Sequence, residues 1–380
     1  MESEEPPMPP ITVMLKPASG LCNMRCRYCF YADEMAHRTT ESYGIMQQDT
    51  LEAIIKRVLA FAEGSCSFMY QGGEPTLAGL SFFEKALELQ KKWNVNRVTI
   101  ANSLQTNGYA INEEWAEFFA RNHFLVGISL DGPKDIHDAN RVDAQGKGTY
   151  NRVMHAIQLL QKHKVEFNIL TVVTRQAARS TGKIYGFFQR NGFAYQQYIP
   201  CLDPWEEGTQ TPYSLTAKDF EQHLKLLFDQ WYQQAVRGEL QYNRYFFNLL
   251  AILNGQMPEA CEMRGVCGRQ FVVEADGSVY PCDFYMMDEY RLGNFVTDDF
   301  ETIERRRQEL AFVETSARIK ESCKGCKWFA LCRGGCRRNW EPVTGPDPRN
   351  VFCSAYQEFL EYSFPRLQQL SRMLQGRRFG

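Results

Sequence analysis

No stretch of this sequence is long and apolar enough to span a bilayer. No basic excess marks it for nucleic acid or anionic lipid either: 43 Lys and Arg stand against 45 Asp and Glu, a net charge of −2. The opening MESEEPPMPP is acidic and proline-rich where a secretory signal would be basic and then apolar. Internal repeats and low-complexity runs are missing, and the six histidines are scattered without metal-ligand spacing. These absences predict a cytoplasmic protein with a disordered tail over residues 1–10, and they exclude membrane and nucleic acid as partners. Cysteine, by contrast, is abundant: thirteen thiols in a reducing compartment are not expected to pair as structural disulfides, so metal or redox chemistry is the better expectation.

At 380 residues the chain exceeds one ordinary core, so a large α/β barrel or a barrel with a second unit is expected. Buried-strand runs (ITVMLK, CSFMY, RVTIANS, FLVGISL, EFNILTVV, YQQYIP) alternate with TLEAIIKRVLAFAEG, SFFEKALELQKKW, EEWAEFFARN, TYNRVMHAIQLLQKHK and GKIYGFFQRNG, whose apolar residues recur at helical intervals. The fold class predicted is α/β, a partial six-strand TIM-like barrel over residues 11–235. A helical bridge follows over 236–254, then a cysteine-rich region over 255–380 with a carboxyl-terminal helix. That last region opens on FVVEADGSVYPCDF, where Asp276-Gly277 reads as a two-residue hairpin turn. It has few long apolar faces, so metal is expected to organise it as much as a core does.

In parallel sheets, chemistry gathers in the loops leaving the carboxyl ends of strands. CNMRCRYC follows the first strand and QGGEP the second. Cys22, Cys26 and Cys29 can hold three irons of a cubane cluster, leaving a fourth iron free for a small chelating amine and carboxylate. A zinc loop borrowing a ligand from elsewhere is the alternative, although C-x3-C-x2-C is not the usual zinc spacing. Further along, Cys261, Cys267 and Cys282 precede C-x2-C-x5-C-x3-C at Cys323, Cys326, Cys332 and Cys336, with Cys353 later. Eight thiols make two sets of four, which two zinc ribbons would also satisfy. Cys66 and Cys201 remain, and both read as small buried residues.

The first loop, with Tyr28 before its last cysteine, resembles that of the radical S-adenosylmethionine superfamily. The resemblance implies that the open iron chelates the cofactor, whose carbon–sulfur bond is cleaved to a 5′-deoxyadenosyl radical. Gln71-Gly72-Gly73-Glu74-Pro75 resembles the family's glycine-rich motif, where backbone carbonyls and Glu74 meet the cofactor ammonium. By family position Gln105 lies near the ribose, Ser129 and Arg141 hold the carboxylate, and Leu202 offers backbone to the adenine; Gln105 and Ser129 also read as ordinary polar strand-end residues. The later cysteines resemble a SPASM extension with two auxiliary 4Fe-4S clusters. Its interleaved ligation gives Cys261, Cys267, Cys282 and Cys336 to one, and Cys323, Cys326, Cys332 and Cys353 to the other.

Over nearly the whole chain, KPASGLCNMRCRYCFY, YQGGEPTLAGL, NSLQTNG, GISLDGPKDIHDANR, CLDPWEE, YPCDFY, RLGN and CKGCKWFALCRGGCRR together resemble the anaerobic sulfatase-maturating enzymes. That resemblance implies oxidation of a sulfatase Cys or Ser, in a Cys/Ser-x-Pro-x-Arg motif, to Cα-formylglycine. It also implies three 4Fe-4S clusters and an electron donor such as flavodoxin or ferredoxin. Asp283, next to Cys282, takes the family's base role, although it could simply cap the hairpin end. Tyr31 and Gln71 are candidates for positioning the substrate backbone, with aromatic core packing the alternative for Tyr31. Two other functions remain open from sequence: a maturase of the same architecture that crosslinks a ribosomally made peptide, and a zinc-held binding module on a catalytically dead barrel.

Overall fold

A computed structural model describes residues 10–206, 210–341 and 349–376. The lead-in expected over residues 1–10 lies, apart from Pro10, outside the described residues. Six parallel strands form the centre: β1 (Ile11–Leu15), β2 (Ser65–Tyr70), β3 (Thr99–Thr106), β4 (Leu125–Ser129), β5 (Phe167–Val173) and β6 (Tyr195–Pro200). Their faces are covered by helices, as an all-parallel sheet requires. The first turn of the chemistry is carried by α1 (Phe30–Ala36), which begins at Cys29.

Behind the sheet, α2 (Gln48–Phe61) buries Leu51, Ile54, Ile55, Val58 and Leu59, one stripe of a 3.6-residue period. In the same way, α3 (Leu80–Trp93) buries Phe82, Phe83, Ala86 and Leu89. The start of α4 (Glu113–Arg121) is fixed by Asn112, whose side-chain oxygen accepts the Trp115 N–H at 3.0 Å. Next come α5 (Lys134–Asn140), α6 (Tyr150–Lys162), α7 (Arg175–Arg179) and α8 (Thr181–Arg190). The five helices legible as long apolar stripes are all present. Three short ones, α1, α5 and α7, are too brief for a period to show.

Three features depart from the sequence reading. The hairpin β8 (Phe271–Val273) and β9 (Ser278–Tyr280) does not stand apart from the barrel. β8 pairs in parallel with β1, and a short β10 (Gly293–Asn294) pairs with β9. Together with β7 (Tyr242–Asn243) on β6, they make one ten-stranded sheet, open at both edges, in the order β10-β9-β8-β1-β2-β3-β4-β5-β6-β7. Second, the hairpin turn is longer than two residues. Glu274 and Ser278 still pair through Glu274 N–H to the Ser278 carbonyl at 2.9 Å, while Gly277 N–H closes back on Glu274 O at 2.9 Å. The loop is therefore Ala275-Asp276-Gly277, with Gly277 left-handed at φ 90° as the third residue of such loops requires.

Third, the carboxyl-terminal region has a substantial core. The α9 (Ala217–Arg237) and α10 (Arg244–Leu253) helices pack with the terminal helix Cys353–Gly376 around buried Phe228, Trp231, Phe246, Leu249, Phe359 and Leu360. The segment expected to act as a bridge thus belongs to a helical layer. Asp229 ties that layer together, accepting from Arg366 at 2.7 Å and from the Tyr362 hydroxyl at 2.8 Å.

Candidate active site

Register aligns the strand ends. Leu15 lies opposite Tyr70, Tyr70 opposite Leu104, and Gln105 opposite Gly127, so Lys16, Gln71 and Gln105 emerge side by side. The cysteine loop folds over this rim. Its Leu21 carbonyl accepts the Glu74 N–H at 2.8 Å, which docks it on the loop after β2. Gly72 and Gly73 make that contact possible. Both have positive φ; a Cβ on Gly72 would lie 2.1 Å from Lys16 Cδ, and one on Gly73 2.2 Å from the Leu21 carbonyl oxygen.

Glu74 has a more specific task than expected. It is fully buried, and its Oε1 accepts from Thr76 N–H (3.1 Å), Thr76 Oγ1 and Thr106 Oγ1 (both 2.7 Å). Its Oε2 accepts from Asn107 N–H at 2.8 Å, so the carboxylate locks the end of β2 to the end of β3. Burial pushes its pKa up, and these hydrogen bonds hold part of that rise back. Asn107 in turn reaches Cys22 Sγ at 3.7 Å and Asn23 at 2.8 Å.

Around the second cysteine, Arg141 is buried, with one nitrogen 4.0 Å from Cys26 Sγ and its Nε bonded to Asp131 at 3.1 Å. The Tyr28 hydroxyl donates to the same Asp131 oxygen. Gln105 donates to the Ser129 hydroxyl at 3.1 Å, and the missing Cβ of Gly127 gives its side chain room. Leu202 lies in the loop after β6, where its carbonyl accepts from Cys201 Sγ at 3.7 Å. Cys201 and Cys66 are both buried.

The Asp283 carboxylate is held on both sides. One oxygen pairs with the ammonium of fully buried Lys16, and the other accepts from Gln71 Nε2 at 2.7 Å. Gln71 thus orients Asp283. Tyr31 is committed elsewhere: its hydroxyl bonds Glu274 and its ring lies 4.7 Å from the Lys16 ammonium. Arg38 completes this layer by pairing with Glu274 at 2.7 Å. Lys16, Glu274, Asp131 and Asn107 escaped the sequence reading. A lysine ending a buried strand in MLKPAS was the available signal for Lys16, and Asp131 lies inside SLDGP beside the residue that drew attention.

The structure groups the later cysteines as two sets. Burial is the largest cause of the raised thiol pKa of Cys261, Cys267, Cys282 and Cys336, and nearby thiols of the same set add to it: Cys267 at Cys261, Cys336 and Cys267 at Cys282, and Cys261 and Cys267 at Cys336. Cys323, Cys326, Cys332 and Cys353 line one cavity together with Trp328 and Tyr356. In the first loop, burial pushes Cys22 up to about 11 and Cys26 to about 12. Deprotonating such thiols requires a strong local cation, which is what iron supplies. Among the described residues, no three cysteine sulfurs fall within 4.8 Å of one another. One zinc at about 2.3 Å from each ligand would draw its sulfurs to about 3.8 Å. In a four-iron cluster each thiolate instead has its own iron, and the sulfurs stand further apart.

Comparison with known proteins agrees. The radical SAM superfamily model matches residues 17–180 and the SPASM iron-sulfur cluster-binding domain model residues 261–327. A cysteine-type anaerobic sulfatase-maturating enzyme of Clostridium perfringens is 49% identical over 362 residues, covering 95% of this chain and 98% of that protein. The chain belongs to the anaerobic sulfatase-maturating enzymes. A serine-type anaerobic sulfatase-maturating enzyme of Bacteroides thetaiotaomicron is 32% identical over 384 residues, covering 96% of this chain and 92% of that one. The solved structure of native anSMEcpe with bound AdoMet and the Cp18Cys peptide matches with a TM-score of 0.91 at 48% identity, covering 96% and 100% of the two chains. As a sulfatase-maturating enzyme of the radical SAM superfamily with a SPASM domain, the chain uses S-adenosylmethionine and 4Fe-4S clusters. Among the described residues no helix is long and apolar enough to cross a membrane.

Proposed function

We propose that this enzyme oxidises the active-site cysteine or serine of a sulfatase to Cα-formylglycine under anaerobic conditions. The observation that carries the reading is Asp283: a buried carboxylate held by Lys16 and Gln71 at the strand ends, one residue from the cluster-binding Cys282. Greater identity to the cysteine-type relative than to the serine-type one favours a Cys-x-Pro-x-Arg substrate.

When bound, S-adenosylmethionine and its iron–sulfur partner supply a carbon radical able to take a hydrogen atom from the substrate Cβ. The residues do the rest. Cys22, Cys26 and Cys29 hold the first cluster, and Tyr28, Gly72, Gly73, Glu74, Gln105, Ser129, Arg141 and Leu202 shape the cofactor's seat. Glu74 serves by fixing two strand ends, and Arg141 brings positive charge to a buried place. Losing hydrogen makes the substrate thiol far more acidic, so Asp283 takes its proton. Lys16 and Gln71 keep both carboxylate oxygens in place while it does so. The remaining electron would pass to the auxiliary cluster that Cys282 would help to hold, and water would then displace the sulfur of the resulting thioaldehyde as hydrogen sulfide to leave the aldehyde. Cys261, Cys267, Cys282 and Cys336 hold one auxiliary cluster, and Cys323, Cys326, Cys332 and Cys353 the other. Tyr31 acts through Lys16 and Glu274, as a positioning residue.

A barrel over 11–235, a bridge over 236–254 and a SPASM region over 255–380 remain useful functional divisions, though β8 and β1 join them in one sheet. A small electron carrier such as flavodoxin or ferredoxin is the proposed reductant. A cytoplasmic location is favoured by thirteen cysteines, none of them in a disulfide. The test is anaerobic incubation of reduced, iron-loaded enzyme with S-adenosylmethionine and a Cys-x-Pro-x-Arg peptide. An aldehyde is expected; a thioether or carbon–carbon crosslink without carbonyl would assign the chain to crosslinking chemistry.

A further inference from the structure

Glu34 is a buried acid that the chemistry above does not use. It sits on α1 one turn past Tyr31, is 1% exposed, and neither carboxyl oxygen has a hydrogen-bond partner. The carboxylates around it are tied: Asp283 to Lys16 and Gln71, Glu274 to Tyr31 and Arg38, and Asp33 to the Trp205 N–H at 2.9 Å. The charges facing Glu34 are Asp283, Lys16, Arg338 and Arg38. Burial, with Asp283 adding to it, holds its pKa well above the ordinary carboxylate value, which favours the protonated form, able both to donate and to accept.

A second unpartnered group lies on Trp205, whose main-chain N–H bonds Asp33, the residue before Glu34. The Trp205 indole N–H is buried and without an acceptor. Arg338 stacks 3.9 Å over the Trp205 ring, and its nitrogens reach the carbonyls of Asp203 at 2.8 Å and Glu341 at 3.0 Å. Three parts of the chain therefore meet next to Asp283: α1, the loop after β6 and the cysteine-rich region. Two orphaned groups of complementary character remain at that junction. Buried polar groups are almost always paired in the functioning state.

We propose that Glu34 and the Trp205 indole N–H bind the main chain of the substrate peptide beside Asp283. One amide of the residues flanking the modified side chain engages the Glu34 carboxyl, and one carbonyl accepts from Trp205. The inference rests on the reading of the chain as a peptide oxidase. A neutral carboxyl offers one donor and one acceptor, the complement of an amide. A guanidinium would demand an ionised partner where three cations already stand.

The test uses iron-loaded enzyme with S-adenosylmethionine, a Cys-x-Pro-x-Arg peptide, and the same peptide N-methylated in turn at each residue flanking the cysteine. Peptide Kd is read by anaerobic fluorescence anisotropy. Glu34→Leu should weaken binding by about tenfold, Glu34→Gln by less than about threefold, and Trp205→Phe by about threefold. One N-methyl peptide should lose about tenfold on the natural enzyme and nothing further on Glu34→Leu. Affinity within about twofold in both Glu34→Leu and Trp205→Phe, or equal N-methylation losses with and without Glu34, means that neither group meets the peptide and overturns the proposal. Should Glu34→Leu fail to fold, Trp205→Phe alone decides. Peptide that is bound but never oxidised would instead contradict the proposed function, so the two failures are distinct.

Discussion

At the scale of single residues, the site depends on Asp283 and on two glycines. Asp283→Asn keeps the shape of the side chain but removes the proposed proton acceptor. 5′-Deoxyadenosine formation should persist while peptide oxidation falls by about a hundredfold or more, measured together by chromatography and mass spectrometry. Unchanged oxidation would remove Asp283 from the base role. Gly73→Ala places a Cβ against a backbone carbonyl, at 2.2 Å and φ 51°, where no rotamer can relieve it. Cofactor cleavage should drop by about tenfold or more, with a measurable loss of cofactor affinity. The cysteines and the Gly-Gly-Glu loop were legible in the sequence because their spacing is local. The Lys16–Asp283 pair was not, since 267 residues separate its partners and only the sheet brings them together. Glu74 was recognised as important, but its role as a tie between β2 and β3 depends on Thr106 and Asn107 arriving from another strand.

At the scale of elements, the hairpin of residues 271–280 links barrel to extension. Gly277 turns it with φ 90°, and a Cβ there would meet Asn294 Oδ1 at 2.7 Å and Val296 Cγ2 at 2.8 Å. Gly277→Ala should cost about 1–3 kcal/mol, read as a lowered midpoint in thermal unfolding of iron-loaded enzyme. A midpoint unchanged within error would show that the turn tolerates a side chain. The six central strands and the five helices α2, α3, α4, α6 and α8 were readable because apolar period and length agree there. The parallel pairing of β8 with β1 was not, because a three-residue strand carries no mark of its distant partner. The Asp-Gly pair pointed to the right place for the turn but not to its length, which Ala275 extends by one.

For the whole molecule, two kinds of order coexist. The helical layer of α9, α10 and the terminal helix is held by an aromatic core, whereas the segment over residues 261–341 places seven of the cysteines proposed as cluster ligands among short turns. Iron-loaded protein should contain about twelve irons per chain, by three four-iron clusters. Chelation should expose residues 261–341 to limited proteolysis while the helical layer resists. Cleavage spread evenly over the chain would show that the metal supports the barrel as much as the extension.

The central claim is that this chain uses radical chemistry to turn a sulfatase side chain into an aldehyde. Mass spectrometry of a Cys-x-Pro-x-Arg peptide, after oxygen-free incubation with reduced enzyme and S-adenosylmethionine, tests it most directly. The account predicts a product about 18 Da lighter that reacts with a carbonyl-trapping hydrazine, formed alongside 5′-deoxyadenosine. Cofactor cleavage that leaves the cysteine intact, or joins it to another residue, would contradict it.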